Sequence, residues 1–134
     1  MKDISKMNFP ESNFYFKTHE WARIINDKIR IGISDYRQDQ LGDIVYLKLP
    51  KGGTHFRKGE EFGAIESVRG ISELLMPISG EIISSNPLLI NEPELVNKYS
   101  YQDGWLIEVK PDDLSDITKI PSKKDYLKLL KEKK

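Results

Sequence analysis

The sequence predicts a mainly β domain, a sandwich or barrel, from three observations. Short segments rich in Ile, Val, Tyr and Phe recur along the chain, turn signals separate them, and only three stretches have a helical pattern. Strands this short and this frequent are typical of all-β sandwiches and barrels. A chain of 134 residues suits one such domain with a single core.

The predicted strands follow one another closely. In chain order they are FYF, WARII, KIRIGI, DIVYLKLP, EEFGAIES, ISELLMP, GEIISS and GWLIEVK. Asn26 and Asp27 predict a hairpin turn between the second and third of them, and pairs that contain Gly separate later ones. A Gly-Glu pair precedes a strand on each side of the stretch ESVRGISE. We therefore predict that residues 67–70 form the outer end of a hairpin.

Three helical stretches interrupt the strands. SDYRQDQL begins with a Ser-Asp capping pair, NEPELVNKY has Pro93 near its first turn, and PSKKDYLKLLKEKK starts at Ser122. The first two are too short to form a second domain. The predicted organisation is a loose N-terminal extension over 1–13, a domain over 14–118, and a C-terminal helix over 119–134 packed on or beside it.

Charge is balanced over the whole chain but unevenly distributed. Lys and Arg number 21, as do Asp and Glu, yet residues 119–134 hold seven Lys against two acids. A basic tail can bind nucleic acid or an anionic membrane. Tyr126, Leu129 and Leu130 at helical spacing instead favour a surface helix with a solvated face. We therefore expect no nucleic-acid or membrane partner.

Cysteine is absent, which excludes disulfides, thiolate metal sites and a Cys nucleophile and fits a reducing compartment. The opening MKDISKMNFPESN lacks the apolar core of a signal peptide. No apolar run approaches the ~18 residues of a membrane span. We therefore expect a cytoplasmic protein, and we expect it to be a monomer.

The chain has no pattern typical of an active site. His19 in THEW and His55 in THFR have no partner at metal-ligand spacing. No G-x-S-x-G motif is present, KGGT departs from the phosphate-loop pattern, and no G-x-G-x-x-G follows a strand. Glu60, Glu61 and Glu66 lie beside turns, where carboxylates are usually solvated. We therefore expect no catalytic residue, no metal and no enzymatic activity.

Four segments carry a family resemblance. They are FYFKTHEWARI, IGISDYRQDQLGDIVYLKLPKGG, KGEEFGAIESVRGISELLMPISGEI and NPLLINEPELVNKYSYQDGWLIEVK. In this order, from Phe14 to Lys110, they resemble the H protein of the glycine cleavage system. The resemblance implies a lipoyl-domain fold, a barrel-sandwich hybrid of two antiparallel sheets with short edge helices. It also implies a non-catalytic carrier whose lipoyl arm visits glycine decarboxylase, aminomethyltransferase and dihydrolipoyl dehydrogenase.

The resemblance places Arg69 where the family has its lipoyl lysine. The family tip reads Glu-Ser-Val-Lys, followed by small residues, a Ser and an acid, and the matching stretch here is ESVRGISE. Lipoylation requires an amine that can offer its lone pair, whereas a guanidinium with a pKa above about 12 stays protonated. The nearest lysine along the chain, Lys58, lies a whole strand away. We therefore predict that Arg69 is unmodified and that this chain carries no lipoate.

The rest of the tip is predicted to bind a partner. Its residues surround Arg69 in the chain and are Glu66, Ser67, Val68, Gly70 and Glu73. The guanidinium itself can pair bidentately with a carboxylate or phosphate, or it is a solvated turn cation without a role. Candidate partners are the three enzymes named above and lipoate ligases or transferases. The HEW block is predicted to serve packing.

The sequence leaves three hypotheses for function. The first is a non-lipoylated H-protein-like module that binds or regulates lipoate-handling or lipoate-dependent enzymes. The second is a working lipoyl carrier of the glycine cleavage system, in which Arg69 is an engineered change or a bypassed site. Descent from related lipoate-binding proteins of sulfur oxidation, which share this fold, stays open beside the second. The third, an enzyme in its own right, has no nucleophile, metal or cofactor pattern to support it.

Overall fold

Two antiparallel sheets form the body of the protein in a computed structural model, which describes residues 2–132. The larger sheet has six strands in the order β1-β2-β3-β9-β8-β5, and the smaller has the order β4-β6-β7. The strands are β1 (Phe14–Tyr15), β2 (Glu20–Ile25), β3 (Lys28–Ile33), β4 (Ile44–Lys48), β5 (His55–Phe56), β6 (Glu61–Ser67), β7 (Gly70–Leu75), β8 (Gly80–Ser85) and β9 (Ile107–Pro111). The predicted mainly β sandwich is confirmed, as a flattened sandwich and not a closed barrel.

Short helices lie between and beside the sheets. The α-helices are α1 (Asp35–Leu41), α2 (Leu95–Lys98) and α3 (Lys123–Glu132), and the 3-10 segments are Ile4–Lys6, Pro87–Ile90 and Leu114–Lys119. Ser34 caps α1, because its hydroxyl accepts a hydrogen bond from the backbone N–H of Arg37. The helical stretch predicted around Pro93 forms only the four residues of α2.

Local turn signals position the strands largely as the sequence predicts. Asn26 adopts a positive φ of 60° in the two-residue turn between β2 and β3, a conformation that Asn tolerates better than most residues. Of the nine strands in residues 2–132, eight lie in predicted segments and extend beyond them by at most one residue at either end. The exception is β5, which has only two residues and pairs with the start of β8. A strand of two residues is too short to show an alternating pattern.

The main core lies between the two sheets. Its members are apolar side chains that alternate with outward-facing residues along each strand, as in Ile29, Ile31 and Ile33 of β3, which are all fully buried. Gly32 alternates with these residues and faces the other side of the sheet, where a Cβ would approach the Trp21 ring to 2.6 Å. The core therefore fixes the relative position of the two sheets and of the hairpin that β6 and β7 form.

A second, aromatic-rich cluster packs on the outer side of the larger sheet. It consists of buried side chains from both chain ends and the strands between them, namely Met7, Phe9, Tyr15, Trp21, Tyr101, Tyr126 and Leu130. Met7 and Phe9 come from the segment 1–13, which the sequence led us to expect as a loose extension. Because these two side chains are buried in the cluster, the described part of the segment packs against the body of the protein. Residue 1 lies outside the described range.

The C-terminal helix joins the same cluster. Tyr126 and Leu130 of α3 are buried, as the predicted spacing requires, whereas Leu129 of the same predicted set is exposed. Residues 133–134 of the predicted helix lie outside the described range. Within residues 2–132, no helix is both long and apolar enough to cross a lipid bilayer.

Candidate functional site

The outer end of the smaller sheet is a tight hairpin turn. Ser67 at the end of β6 pairs with Gly70 at the start of β7, which leaves Val68 and Arg69 as the two turn residues. Gly70 has a φ of 136°, which favours glycine. The Ser67 hydroxyl accepts a hydrogen bond from the Arg69 backbone N–H (3.1 Å), and the Val68 N–H donates to the Asp43 carbonyl (3.0 Å). The turn is thus held by the Ser67 side chain within it and by the backbone of Asp43 before β4.

The Arg69 side chain folds back onto helix α1. Its Nη1 donates to the carbonyl oxygens of Gln40 (2.5 Å) and Asp39 (3.2 Å), which lie in the last turn of the helix. Carbonyls in the last turn lack partners within their helix and interact favourably with cations. Gly42 follows these carbonyls at the end of the helix with a φ of 72°, a conformation that favours glycine. Arg69 therefore caps α1.

The surface that the tip offers to a partner is mainly apolar. Val68 is 66% exposed and Ile71 is 76% exposed. Tyr46, Glu66 and Ile71 occupy matching positions on β4, β6 and β7, and all three are exposed. The outward row across the sheet is therefore an aromatic ring, a carboxylate and an aliphatic side chain.

The predicted tip residues do not all reach this surface. Glu66, Val68 and Glu73 are exposed, whereas Ser67 is buried and directed at the turn backbone. Gly70 contributes the backbone conformation of the turn. The sequence reasoning missed Tyr46 and Ile71. The alternating pattern of DIVYLKLP places Tyr46 and Leu47 on opposite faces of the strand, but it does not show which face is exposed.

A buried ion pair lies beside the free edge of β7. Arg37 donates to Glu20 Oε2 (3.4 Å), to the Ser72 hydroxyl (2.6 Å) and to the Glu73 carbonyl (2.6 Å), while the Leu75 N–H donates to Glu20 Oε2 (2.9 Å). Burial raises the pKa of the Glu20 carboxyl, although the Leu75 N–H, the Thr18 hydroxyl and Arg37 each oppose that shift. The pair thus gives hydrogen-bond partners to the Glu73 carbonyl and the Leu75 N–H, which an edge strand otherwise leaves without a neighbouring strand.

The HEW block serves packing, as predicted. Glu20 and Trp21 are fully buried and His19 is nearly so. His19 Nδ1 lies 2.7 Å from the Tyr126 hydroxyl, which in turn lies 2.9 Å from the Ser34 hydroxyl. This chain of polar contacts connects α3 to the start of α1. Burial raises the pKa of Tyr126, so its hydroxyl keeps its proton at neutral pH.

Metal-binding patterns are absent from the described part of the chain. Residues 2–132 contain no group of three or more His, Cys, Asp or Glu side chains that could hold a metal ion. The exposed His55 pairs with Asp112, with Nε2 2.8 Å from Oδ2.

The two-sheet fold, together with a tight hairpin turn at the end of the smaller sheet, defines a lipoyl-domain type of protein. The family model for the glycine cleavage H-protein matches residues 13–133. The chain belongs to this family. H proteins are carriers and do not themselves catalyse a reaction, so this chain is not an enzyme.

Individual relatives agree with the family assignment. The chain is 44% identical over 126 residues to the glycine cleavage system H protein of Geobacillus thermodenitrificans, covering 94% of this chain and 99% of the relative. It is 45% identical over 120 residues to that of Bacteroides fragilis, covering 90% and 95%. The crystal structure of the H protein from Mycobacterium marinum superposes with a TM-score of 0.84 at 28% identity, covering 92% and 99%.

The tip of this chain does not fit the covalent lipoate of the family. An amide to lipoate requires a primary amine, and the turn holds Arg69 instead. On the same sheet, Lys48 lies opposite Ala64, away from the turn. The Arg69 guanidinium is also occupied by the carbonyls of α1.

Proposed function

We propose that this chain is an H protein that carries no lipoate and acts by binding enzymes that handle or depend on lipoate. The observation that supports the proposal is Arg69, which stands where an acceptor amine is needed and caps α1 from a tight two-residue hairpin turn. The partners are enzymes of the lipoyl-recognising kind: glycine decarboxylase, aminomethyltransferase, dihydrolipoyl dehydrogenase, or a lipoate ligase or transferase. A monomeric state and a cytoplasmic location remain predictions.

Binding is proposed to use the exposed part of the tip. Val68 and Ile71 supply apolar area, and Glu66 and Glu73 supply charge. Exposed apolar side chains that are grouped in this way are typical of protein interaction sites. In this proposal Arg69 acts indirectly, because its contacts with α1 hold the turn in place.

Intact-mass measurement tests the absence of lipoate. The chain is co-expressed with a lipoate ligase in medium containing lipoate, and Arg69→Lys is the matched variant. We expect the unmodified mass for the wild-type chain and one lipoyl increment for the variant, because only the variant offers an amine at the turn. A lipoyl increment on the wild-type chain contradicts the proposal.

A second candidate function is a lipoyl carrier in which Arg69 stands at a bypassed or engineered site. It is favoured by one observation: among residues 2–132, the partners of the guanidinium are backbone carbonyls, with which a lysine ammonium can also form hydrogen bonds. This candidate predicts that lipoylated Arg69→Lys restores glycine decarboxylation in a mixture of the other glycine cleavage enzymes. A lipoylated variant that supports no decarboxylation shows that the partner surfaces also differ.

A further inference from the structure

An apolar groove lies at the edge of the smaller sheet, between β4 and the 3-10 segment Pro87–Ile90. Its volume is about 310 Å³. The walls are mainly apolar and include Val45, Tyr46, Leu49, Leu89, Ile90 and Pro93. Ile90 is 82% exposed and Tyr46 is 60% exposed, whereas Leu89 is buried beneath them. The groove thus has a buried floor and two exposed apolar rims.

Both walls of the groove are held by side-chain amides. On one side, the Asn86 amide donates to the carbonyls of Asp103 (2.7 Å) and Trp105 (2.8 Å) and its oxygen accepts from the Leu88 N–H (3.1 Å). On the other side, Asn97 accepts from the Ile44 N–H (2.9 Å). A preformed groove binds with little loss of conformational entropy.

Three exposed carboxylates lie close in the chain to residues that line the groove. Asp43 precedes β4, and Glu92 and Glu94 flank Pro93 in the chain; all three are exposed. Lys48 is the cation among the groove-lining residues. The wider setting is also acidic, because residues 1–118 carry a net charge of −5 once the +5 of residues 119–134 is removed from a total of zero. Cationic groups beside an apolar side chain complement this surface.

The groove is continuous with the hairpin tip. Tyr46 lines the groove and also begins the row that runs through Glu66 to Ile71. Adjacent strands lie about 4.8 Å apart, so this row spans roughly 10 Å. A protein that covers the tip therefore reaches the groove within one interface of ordinary size.

We infer that the groove docks a segment of the enzyme that engages the tip. This segment places an apolar side chain between Tyr46 and Ile90 and carries Lys or Arg to pair with Glu92 and Glu94. The inference rests on the proposed function, and it adds a second point of contact away from the turn. That contact explains how a chain without the lipoyl group can still hold a lipoyl-recognising enzyme.

Binding measurements with matched variants test the inference. Purified glycine decarboxylase, aminomethyltransferase, dihydrolipoyl dehydrogenase and lipoate ligase are each titrated against the wild-type chain. The groove variants are Ile90→Ser and Glu94→Lys. Ile24→Ser on β2 and Glu81→Lys on β8 are the controls, since both residues are exposed on the larger sheet. Thermal unfolding verifies that every variant is folded.

We expect an enzyme that binds the wild-type chain to bind each groove variant about tenfold more weakly, as for a side chain at the centre of an interface. We expect the controls to bind as the wild-type chain does. If an enzyme binds and the groove variants match the controls, the inference is wrong while the proposed function stands. If none of the four enzymes binds the wild-type chain, both are wrong. If sedimentation shows that the wild-type chain is a dimer and that Ile90→Ser makes it monomeric, the inference is also wrong, because the groove then binds a second copy of this chain.

Discussion

Arg69 shows how one side chain can remove a chemical function and keep a structural one. A lysine ammonium is a point charge on a flexible stem, whereas the guanidinium presents several donors in a fixed plane. Nη1 of Arg69 contacts two carbonyls of α1, those of Asp39 and Gln40. The residue is therefore tied to the helix end, and the exposed tip consists chiefly of Val68 and Ile71.

Replacing Arg69 by Gln tests the capping contact. We expect Arg69→Gln to lower the free energy of unfolding by about 0.5–1 kcal/mol, because the carbonyls of Asp39 and Gln40 lose a cationic donor. Urea denaturation at low ionic strength measures the change. Arg57→Gln, an exposed arginine before β6, is the control and should unfold as the wild-type chain does. Equal losses in the two variants argue against a specific cap.

At the scale of elements, side chains provide hydrogen-bond partners for the backbone of the edge strand β7 on its free side. Glu20 accepts from the Leu75 N–H, and Arg37 donates to the Glu73 carbonyl, so a buried ion pair occupies the place of a neighbouring strand. A buried pair of this kind adds little net stability, but removing one partner is costly because it leaves the other charge uncompensated. The pair connects α1, the start of β2 and β7.

Glu20→Gln should change both stability and its pH dependence. We expect any loss of stability in Glu20→Gln to be smaller at about pH 8 than at about pH 4, because burial makes the folded chain hold the ionised carboxylate less favourably than the protonated one. The pKa of Glu20 is higher in the folded chain than in the unfolded chain. At a pH between these two values, the folded chain therefore binds more protons than the unfolded chain does. The Glu20 contribution to stability is therefore present at low pH and is lost as pH rises through the folded pKa.

The difference between the wild-type chain and Glu20→Gln isolates this contribution. The free energy of unfolding in urea, measured from about pH 4 to about pH 8, should fall more steeply with rising pH for the wild-type chain. Glu81→Gln, a substitution of an exposed carboxylate on β8, should keep the wild-type slope. Parallel curves for the wild-type chain and Glu20→Gln contradict the argument.

At the scale of the whole molecule, two apolar clusters share the larger sheet. The main core lies between the sheets, and the aromatic cluster ties both chain ends to the opposite face. Phe9 meets Tyr15 and Tyr126 in edge-to-face contacts, with ring centroids 6.0 and 5.8 Å apart. Aromatic pairs with this geometry add to the stability gained from burial.

Phe9→Ala should destabilise the protein as a core substitution does. We expect a loss of about 3 kcal/mol, because Phe9 is buried and its removal leaves a cavity against Tyr15 and Tyr126. Thermal and urea unfolding measure the loss. Leu114→Ala, at a partly exposed position, is the control and should cost much less. An equally small loss at Phe9 supports a loose N-terminal segment.

Local signals in the sequence account for much of the fold but for less of the site. The turn at Asn26, the glycine conformation at Gly70 and the helix start at Ser34 depend on neighbouring residues, and these are predictable. The pairing of Arg69 with Gln40 and the packing of Phe9 join residues far apart in the chain. Periodicity and turn chemistry do not specify such contacts, so the tip was predicted as a turn but not as a helix cap.

The aromatic cluster gives the protein an internal optical reporter. Trp21 is fully buried beside Tyr101, and its indole N–H donates to the Ser100 carbonyl (3.0 Å). Trp105 is partly exposed, with the Arg30 guanidinium 4.8 Å from its ring centre. The two indoles therefore differ in their access to a soluble quencher. Fluorescence from the protected indole follows the docking of the two chain ends, without any added label.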